Sequence, residues 1–283
     1  RSDYSLFWSS KLFKFIYTFH MPLFMAISGY FAYFSIKRHP ALVYIISRLK
    51  YLLVPLLSWC LILSIVNITN QPANTSFLHH FLDTSLHSFW FVWSILFFSS
   101  TFCLLKKFKI DKIPILIIVT LVILTIVPND LRIIGKEFFI YFVIGYVLAD
   151  KKIEMLHQFC KKYLLIFLII TITCFIYWNP DLSYTDFVDL KGWGTYLFRV
   201  LLGIVSSVTV MEIMYWVYTK TMYSKTISYF SRIGQETLGI YLIQDVFITA
   251  SWIWIIPYVN IPNISLIYVI PSILFVILCH YFI

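Results

Sequence analysis

The sequence Phe19-His20-Met21-Pro22-Leu23-Phe24, followed closely by Ser28-Gly29-Tyr30, decides how this chain folds. It lies inside an apolar run over about 15–36, and roughly 20 residues at ~1.5 Å each cross the ~30 Å hydrocarbon core of a bilayer. A histidine at that depth must find a partner inside protein or in a wet cavity, because lipid offers none. The spacing i, i+4, i+8 places His20, Phe24 and Ser28 on one helix face. The glycine of this stretch lets a second helix approach closely, so we expect a packed membrane helix here.

The composition is typical of a membrane protein with several spans. Hydrophobic residues make up 60% of the chain and charged residues 12%, with 27 Phe, 20 Tyr and a mean hydropathy of +0.85. A soluble domain usually carries about 25% charged residues. A net charge of +9 would suggest a nucleic-acid partner in a soluble protein, but here the basic residues lie in short loops between apolar runs. That placement indicates membrane orientation, so we expect a lipid bilayer and no nucleic acid as partner.

Nine runs are long and apolar enough to span, which predicts an all-α, polytopic membrane helix bundle in one domain over 1–283. Fifteen of the 22 Lys and Arg residues lie in the loops 37–50, 106–112, 150–162 and 218–235, against six on the opposite side and one within a run. The richer side is cytoplasmic by the positive-inside rule, so the C-terminus is cytoplasmic. The runs are 13–36, 51–68, 88–105, 113–128, 137–149, 163–178, 195–217, 236–256 and 264–282.

This orientation puts residue 1 on the outside, because an odd number of runs ends inside. We therefore expect one more helix before Arg1, giving ten in the full fold and a domain that is incomplete at its N-terminus. A cleaved signal segment is the rival explanation.

Four sequence blocks, in order along the chain, carry a family resemblance. They are 19–24 (FHMPLF) with 27–31 (ISGYF), 48–55 (RLKYLLVP), 89–93 (FWFVW) and 234–244 (GQETLGIYLIQ); the segment 141–146 (YFVIGY) also fits. Together they resemble the membrane-bound acyltransferase 3 family, which O-acylates cell-surface sugars. The most similar branch is that of the fucose 4-O-acetylases and polysaccharide O-acetyltransferases. The resemblance covers most of the chain.

The resemblance implies an acyl-CoA donor substrate, with acetyl-CoA as the expected form, on the cytoplasmic side, and a sugar hydroxyl as acceptor. We expect no bound cofactor and no metal. Three features depart from the family pattern. The family's first helix, with an arginine and a histidine regarded as catalytic, has no counterpart before His20. The family's Arg-x-x-Arg motif here runs from Arg48 to Tyr51, with Lys50 as a substitute, and the late block ends in Gln244 where the family often has histidine.

Asp245 is the sharpest signal among the candidate catalytic residues. It lies ~13 Å into the eighth run, near the bilayer midplane, where a carboxylate costs ~2.5 kcal/mol or more. Such a group must be paired, protonated or functional. Tyr241 lies four residues earlier on the same face and Gln244 is adjacent, so all three are candidates for orienting a catalytic histidine or binding a sugar. A structural pair between Asp245 and Arg199 is the alternative.

The other candidates are one histidine, two cations and one tryptophan. His20 is a candidate base, orienting group or acceptor ligand, against the alternative of a hydrogen-bonded packing residue. Arg48 and Lys50 suit CoA phosphates, against ordinary positive-inside anchoring. Trp90 offers an aromatic face for a sugar ring, against a place in the interfacial aromatic belt.

These features favour an integral-membrane O-acyltransferase that acts on a cell-surface sugar or polysaccharide precursor. A bacterial cytoplasmic (inner) membrane is the expected location. The alternative from another class is a transporter or exporter of polysaccharide or lipid-linked sugar. Many transporters contain paired repeats with broken helices at corresponding positions, and the sequence shows no such pairing.

Overall fold

The computed structural model describes residues 11–68, 76–87, 89–110, 112–126, 135–151, 153–177 and 190–221, with isolated positions between 228 and 241. These ranges contain helices and no strand, which confirms an all-helical fold for the part of the chain described. The helices are α1 (Lys11–Arg38), α2 (Ala41–Arg48), α3 (Val54–Ile68), α4 (Phe77–His87), α5 (Trp90–Lys107), α6 (Ile113–Ile126), α7 (Phe139–Leu148), α8 (Ile153–Tyr177) and α9 (Leu190–Thr221).

Within those ranges, three helices are long and apolar enough to cross a membrane. They cover Phe15–Arg38, Ala41–Ile65 and Tyr196–Lys220, and a fourth span arises if Phe77–Leu86 and Trp90–Lys107 form one broken helix. The first of them confirms that the opening stretch lies in a helix long and apolar enough to span. The eighth and ninth predicted runs lie outside the described residues, apart from Tyr241, which is helical.

Two helices begin earlier than their apolar runs. The second run was predicted from residue 51, but the helix starts at Ala41, where the Pro40 carbonyl accepts the first hydrogen bond from the amide of Tyr44. The residues of α2 are largely apolar, and Ala41–Ile65 is apolar enough to span as one helix; the prediction missed this start because the basic residues on either side of α2 were taken as the limits of a loop over 37–50. The start of α8 was missed for another reason, because its first ten residues, from Ile153, are more polar than the run predicted from 163 and hydropathy detects only the apolar part of a helix.

A π-helical turn, Leu49–Leu53, joins α2 to α3 without interrupting the helix. Pro55 follows it and cannot donate a hydrogen bond to the carbonyl four residues earlier, which gives a physical reason for a wider turn at this point. As a result, Arg48 and Lys50 lie within one long helix, whereas the sequence predicted a loop that leads into a helix.

The chain divides into two compact units. The first contains Arg1–Ile46 and Trp93–Lys220, and the second contains Ser47–Val92 and Thr221–Ile283. In the first unit α1 and α7 pack with their backbones in contact. A Cβ added to Gly29 would meet the Phe142 backbone, and one added to Gly145 would meet the Ala26 backbone. This contact confirms the close helix approach predicted for Gly29.

Aromatic side chains from α5 and α7 form the core of the first unit. The side chains of Phe98, Phe102, Phe139 and Phe142 are fully buried. The ring centroids of Phe98 and Phe139 lie 4.9 Å apart in an edge-to-face arrangement, which is a favoured geometry for aromatic pairs. This core fixes α7, and with it the turn that precedes the helix.

Polar contacts in the first unit show which helix ends lie together. The Tyr33 hydroxyl near the end of α1 donates to Asp150, directly after α7, so α1 and α7 run in the same direction. His157, near the start of α8, contacts Glu212 in the last third of α9, so these two helices are antiparallel. Both directions agree with the predicted alternation of the runs.

Candidate functional site

His20 lies in the first half of α1, with its imidazole exposed on the helix surface. Its ring meets that of Phe24 edge-to-face at 4.9 Å between centroids, which confirms that the two residues share a helix face. The backbone next to His20 is contacted by α9, because the Ser207 hydroxyl donates to the carbonyl of Phe19 at 3.3 Å and the Ser206 hydroxyl lies 3.4 Å from the carbonyl of Thr18. The helix is therefore held in place beside His20, whose side chain lies on the exposed face of α1.

The segment of α1 two residues beyond His20 meets α7 and α9 at one point. Pro22 and the Tyr141 hydroxyl both approach Gly203 of α9, and that hydroxyl donates to the carbonyl of Arg199 at 3.1 Å. Three helices thus converge beside the histidine-bearing stretch. A residue larger than glycine at 203 would displace the tyrosine.

A buried charged turn precedes α7. Lys136 is 6% exposed, and its ammonium donates to the carbonyl of Leu124 in the last turn of α6 at 3.2 Å. Burial lowers the pKa of Lys136 below its ordinary value, and the neighbouring Glu137 partly opposes this. The charges of Lys136 and Arg199 both act on the Glu137 carboxylate. A cation at a helix C-terminus stabilises the helix dipole, so this turn has a structural role.

A contact between His157 and Glu212, also within the first unit, joins α8 to α9. The Nδ1 atom of His157 lies 2.9 Å from one carboxylate oxygen of Glu212, and its ring packs against the Tyr215 ring at 4.2 Å between centroids, tilted by 52°. Glu212 is 8% exposed. A buried carboxylate needs such a partner, so the pair ties the two antiparallel helices together.

Within the second unit, Tyr241 of the late sequence block packs against residues next to Trp90. Trp90 contacts the ring of Phe91 at 6.1 Å between centroids, and Tyr241 contacts the same ring at 5.6 Å. Tyr241 also meets Phe89 at 6.1 Å. The start of α5 and the late sequence block therefore share one aromatic cluster.

Of the remaining predicted residues, the structure describes Arg48 and Lys50 but not Gln244 and Asp245. Arg48 is half-buried and Lys50 is exposed, and both lie in the second unit, whereas His20 lies in the first. Gln244 and Asp245 lie outside the described residues. Within the part of the chain that is described, no group of three or more His, Cys, Asp or Glu side chains is placed to hold a metal ion.

Sequence reasoning missed Glu137 and His157. A Lys-Glu pair directly before an apolar run was a usable signal for the first, because a carboxylate at a membrane boundary needs a partner. No local pattern pointed to the second, because its partner Glu212 lies 55 residues further along the chain.

The chain is similar to known proteins along almost its whole length. A family model described as an acyltransferase domain matches residues 2–281. The Nodulation protein NolL of Sinorhizobium fredii is 28% identical over 255 residues, which cover 84% of this chain and 68% of that protein. The protein of the same name from Mesorhizobium japonicum is 27% identical over 257 residues, which cover 84% and 67%. No solved structure matches this chain.

Proposed function

The chain belongs to the acyltransferase 3 family, and from this membership we propose that it transfers an acetyl group from acetyl-CoA to a hydroxyl of a cell-surface sugar or polysaccharide precursor. The observation that carries the proposal is the family match over residues 2–281 of a chain with membrane-spanning helices. An acyltransferase embedded in a membrane suits a donor on one side and a surface glycan on the other.

The reaction needs a base and a group that stabilises negative charge. The base removes the hydroxyl proton while the acceptor oxygen attacks the thioester carbonyl, and hydrogen-bond donors stabilise the oxyanion that forms. We assign these catalytic roles to His20 and Asp245. The position of His20 on an exposed face of α1, next to backbone held by α9, supports the first assignment.

We assign substrate binding to five residues. Arg48 and Lys50 bind phosphates of the donor, since arginine forms forked hydrogen bonds to phosphate and lysine acts as a point charge. Trp90, Tyr241 and Gln244 bind the acceptor sugar. Support for this assignment comes from Phe91, whose ring contacts both Trp90 and Tyr241.

The proposed topology has nine spans in this chain, in one domain within a bacterial inner membrane, with the C-terminus in the cytoplasm. The family fold is expected to have ten. The directions of α1, α7, α8 and α9 support the alternation on which the topology rests.

Membranes that contain the full-length protein should transfer label from acetyl-CoA to a surface glycan. Asp245→Asn should reduce this transfer at unchanged protein level, while the matched change Asp83→Asn, at an exposed carboxylate of α4, should not. Deletion of the gene should remove acetyl groups from the glycan. Unchanged glycan acetylation after deletion would contradict the enzyme proposal and favour the alternative, a transporter or exporter of polysaccharide or lipid-linked sugar.

A further inference from the structure

The side chain of Tyr33, in the first unit, contacts two lysines and an aspartate that lie at the ends of three helices. The Nζ atoms of Lys37, in the last turn of α1, and Lys106, in the last turn of α5, lie 5.5 and 5.7 Å from the centroid of the Tyr33 ring. The Tyr33 hydroxyl donates to Asp150 beyond α7 at 2.6 Å. The ring also packs on Tyr146 at 5.3 Å between centroids. We call these four residues, Tyr33, Lys37, Lys106 and Asp150, the Tyr33 cluster.

The Tyr33 cluster carries more positive than negative charge. Among the described residues, no carboxylate lies within ion-pair distance of the ammonium of Lys37 or Lys106. The hydrogen bond to Tyr33 directs the Asp150 carboxylate to the phenol. A cation held over a ring face keeps N–H donors for another acceptor. Two ammonium groups therefore lie against the same ring and keep N–H donors for another acceptor.

Lysines are common at cytoplasmic helix ends, where they complement the helix dipole and anchor the span. That explains why each helix end is basic. It does not explain why lysines that are 69 positions apart in the sequence approach one ring, since each could extend into solvent alone. The two nitrogens lie within about 11 Å of each other, given their distances to the shared centroid. An anion with several phosphates fits this arrangement.

We propose that the Tyr33 cluster is a phosphate-binding site for the acyl-CoA donor, with Lys37 and Lys106 contacting its phosphate groups. This inference rests on the proposed function, because it assumes a CoA substrate. CoA carries a diphosphate and a separate ribose phosphate, so the donor offers phosphates to Lys37 and Lys106 in addition to those assigned to Arg48 and Lys50. Lysine binds such groups as a point charge, and contact with the Tyr33 ring positions the ammonium groups of Lys37 and Lys106. Anionic lipid headgroups present the same phosphate chemistry, and the experiment separates the two sources.

The test uses the full chain in nanodiscs of zwitterionic phosphatidylcholine, titrated calorimetrically with CoA. Combining Lys37→Gln with Lys106→Gln should weaken CoA binding on the order of tenfold, as expected for two charge-assisted contacts at a partly exposed site. Lys107→Gln is the matched control, because it removes the same charge from the same turn without approaching the ring. Tyr33→Phe keeps the ring and removes the bond to Asp150, so its effect should be smaller than that of the double variant. In the transfer assay the double variant should raise KM for acetyl-CoA and leave kcat unchanged.

Three results would overturn the site. Equal CoA affinity in wild type and double variant would do so, as would an equal loss in Lys107→Gln, which would indicate diffuse surface charge. Unchanged CoA affinity in the double variant, together with less phosphatidylglycerol retained around the purified double variant than around the wild type in mixed-lipid nanodiscs, would assign the cluster to lipid headgroups. Wild-type protein that binds CoA through these lysines but transfers no acetyl group would instead contradict the proposed function and leave the phosphate site standing.

Discussion

The contact between α1 and α7 leads to a specific prediction about Gly145. A Cβ added there by Gly145→Ala would stand 2.7 Å from the carbonyl carbon of Ala26 and 3.0 Å from its Cα, and closer still to its oxygen. Ordinary van der Waals contact begins at 3.4 Å. The obstacle is helix backbone, which cannot rotate away as a side chain would. The two helices must therefore separate by roughly 1 Å, or α7 must slide along α1.

Separation of the helices loses packing along the whole contact. Overpacking of a tight interface typically costs 1–3 kcal/mol, and we expect about 3 kcal/mol because nothing at this contact can yield. For a chain of this size that loss lowers Tm by roughly 8 °C. Gly29→Ala acts on the same contact, since its Cβ would stand 2.9 Å from the carbonyl carbon of Phe142. One separation relieves both clashes, so the double variant should lose less stability than the two single losses combined.

The measurement is thermal unfolding of the purified protein in detergent, followed by a thiol-reactive dye or by light scattering. Gly194→Ala is the control, because it also lies within a helix but its added Cβ would meet nothing within 4 Å. That variant should melt at or slightly above the wild-type temperature, since alanine favours a helix over glycine. If Gly145→Ala and Gly194→Ala melted together, the backbone contact between α1 and α7 would be refuted.

Three further changes test the packing of the first unit. Lys136→Met removes a buried ammonium that donates to α6 and should lower stability by ~2 kcal/mol, whereas Lys136→Arg should lose less; thermal unfolding compares them. Phe102→Ala opens a cavity in the aromatic core and should cost ~3 kcal/mol, measured as lost folded protein in size-exclusion profiles. Glu212→Gln keeps the shape but removes the charge facing His157 and should cost ~1 kcal/mol, with cysteine accessibility at Cys160 as the measurement. Unchanged dye labelling in that variant would contradict a role for the pair in holding α8 to α9.

The sequence predicted the helical class because hydropathy responds to the solvent that surrounds a helix. It placed α1 and α6 within a few residues of their observed ends. It missed the polar start of α8, which lies beyond the apolar run and so does not raise the hydropathy. It also missed α2, whose residues are largely apolar but lie between basic residues that predicted a loop. The relative directions of α1 and α7, and of α8 and α9, agree with the alternation predicted from the charges of the loops. Loop charge is also a local property of the sequence.

The site was predictable only as far as single helices determine it. The spacing of His20 and Phe24 correctly predicted a shared face, and Tyr33 and Lys37 stand in the same i, i+4 relation. The arrival of Lys106 at that ring depends on which helices pack together, and periodicity carries no information about that choice. The contact between His157 and Glu212 could not be predicted for the same reason.

The wide turn at Leu49–Leu53 changes how the long helix that contains it should be drawn. A π turn contains one residue more than the regular spacing allows, which rotates everything beyond it by about 100°. A helical wheel drawn through 41–68 as one regular helix therefore assigns one half of the residues to the wrong side. Because the turn contains one extra residue, we expect the helix to tolerate a deletion of one residue there. Removal of one residue within this turn would convert it to regular helix, whereas the same deletion in α7 would turn Gly145 away from α1.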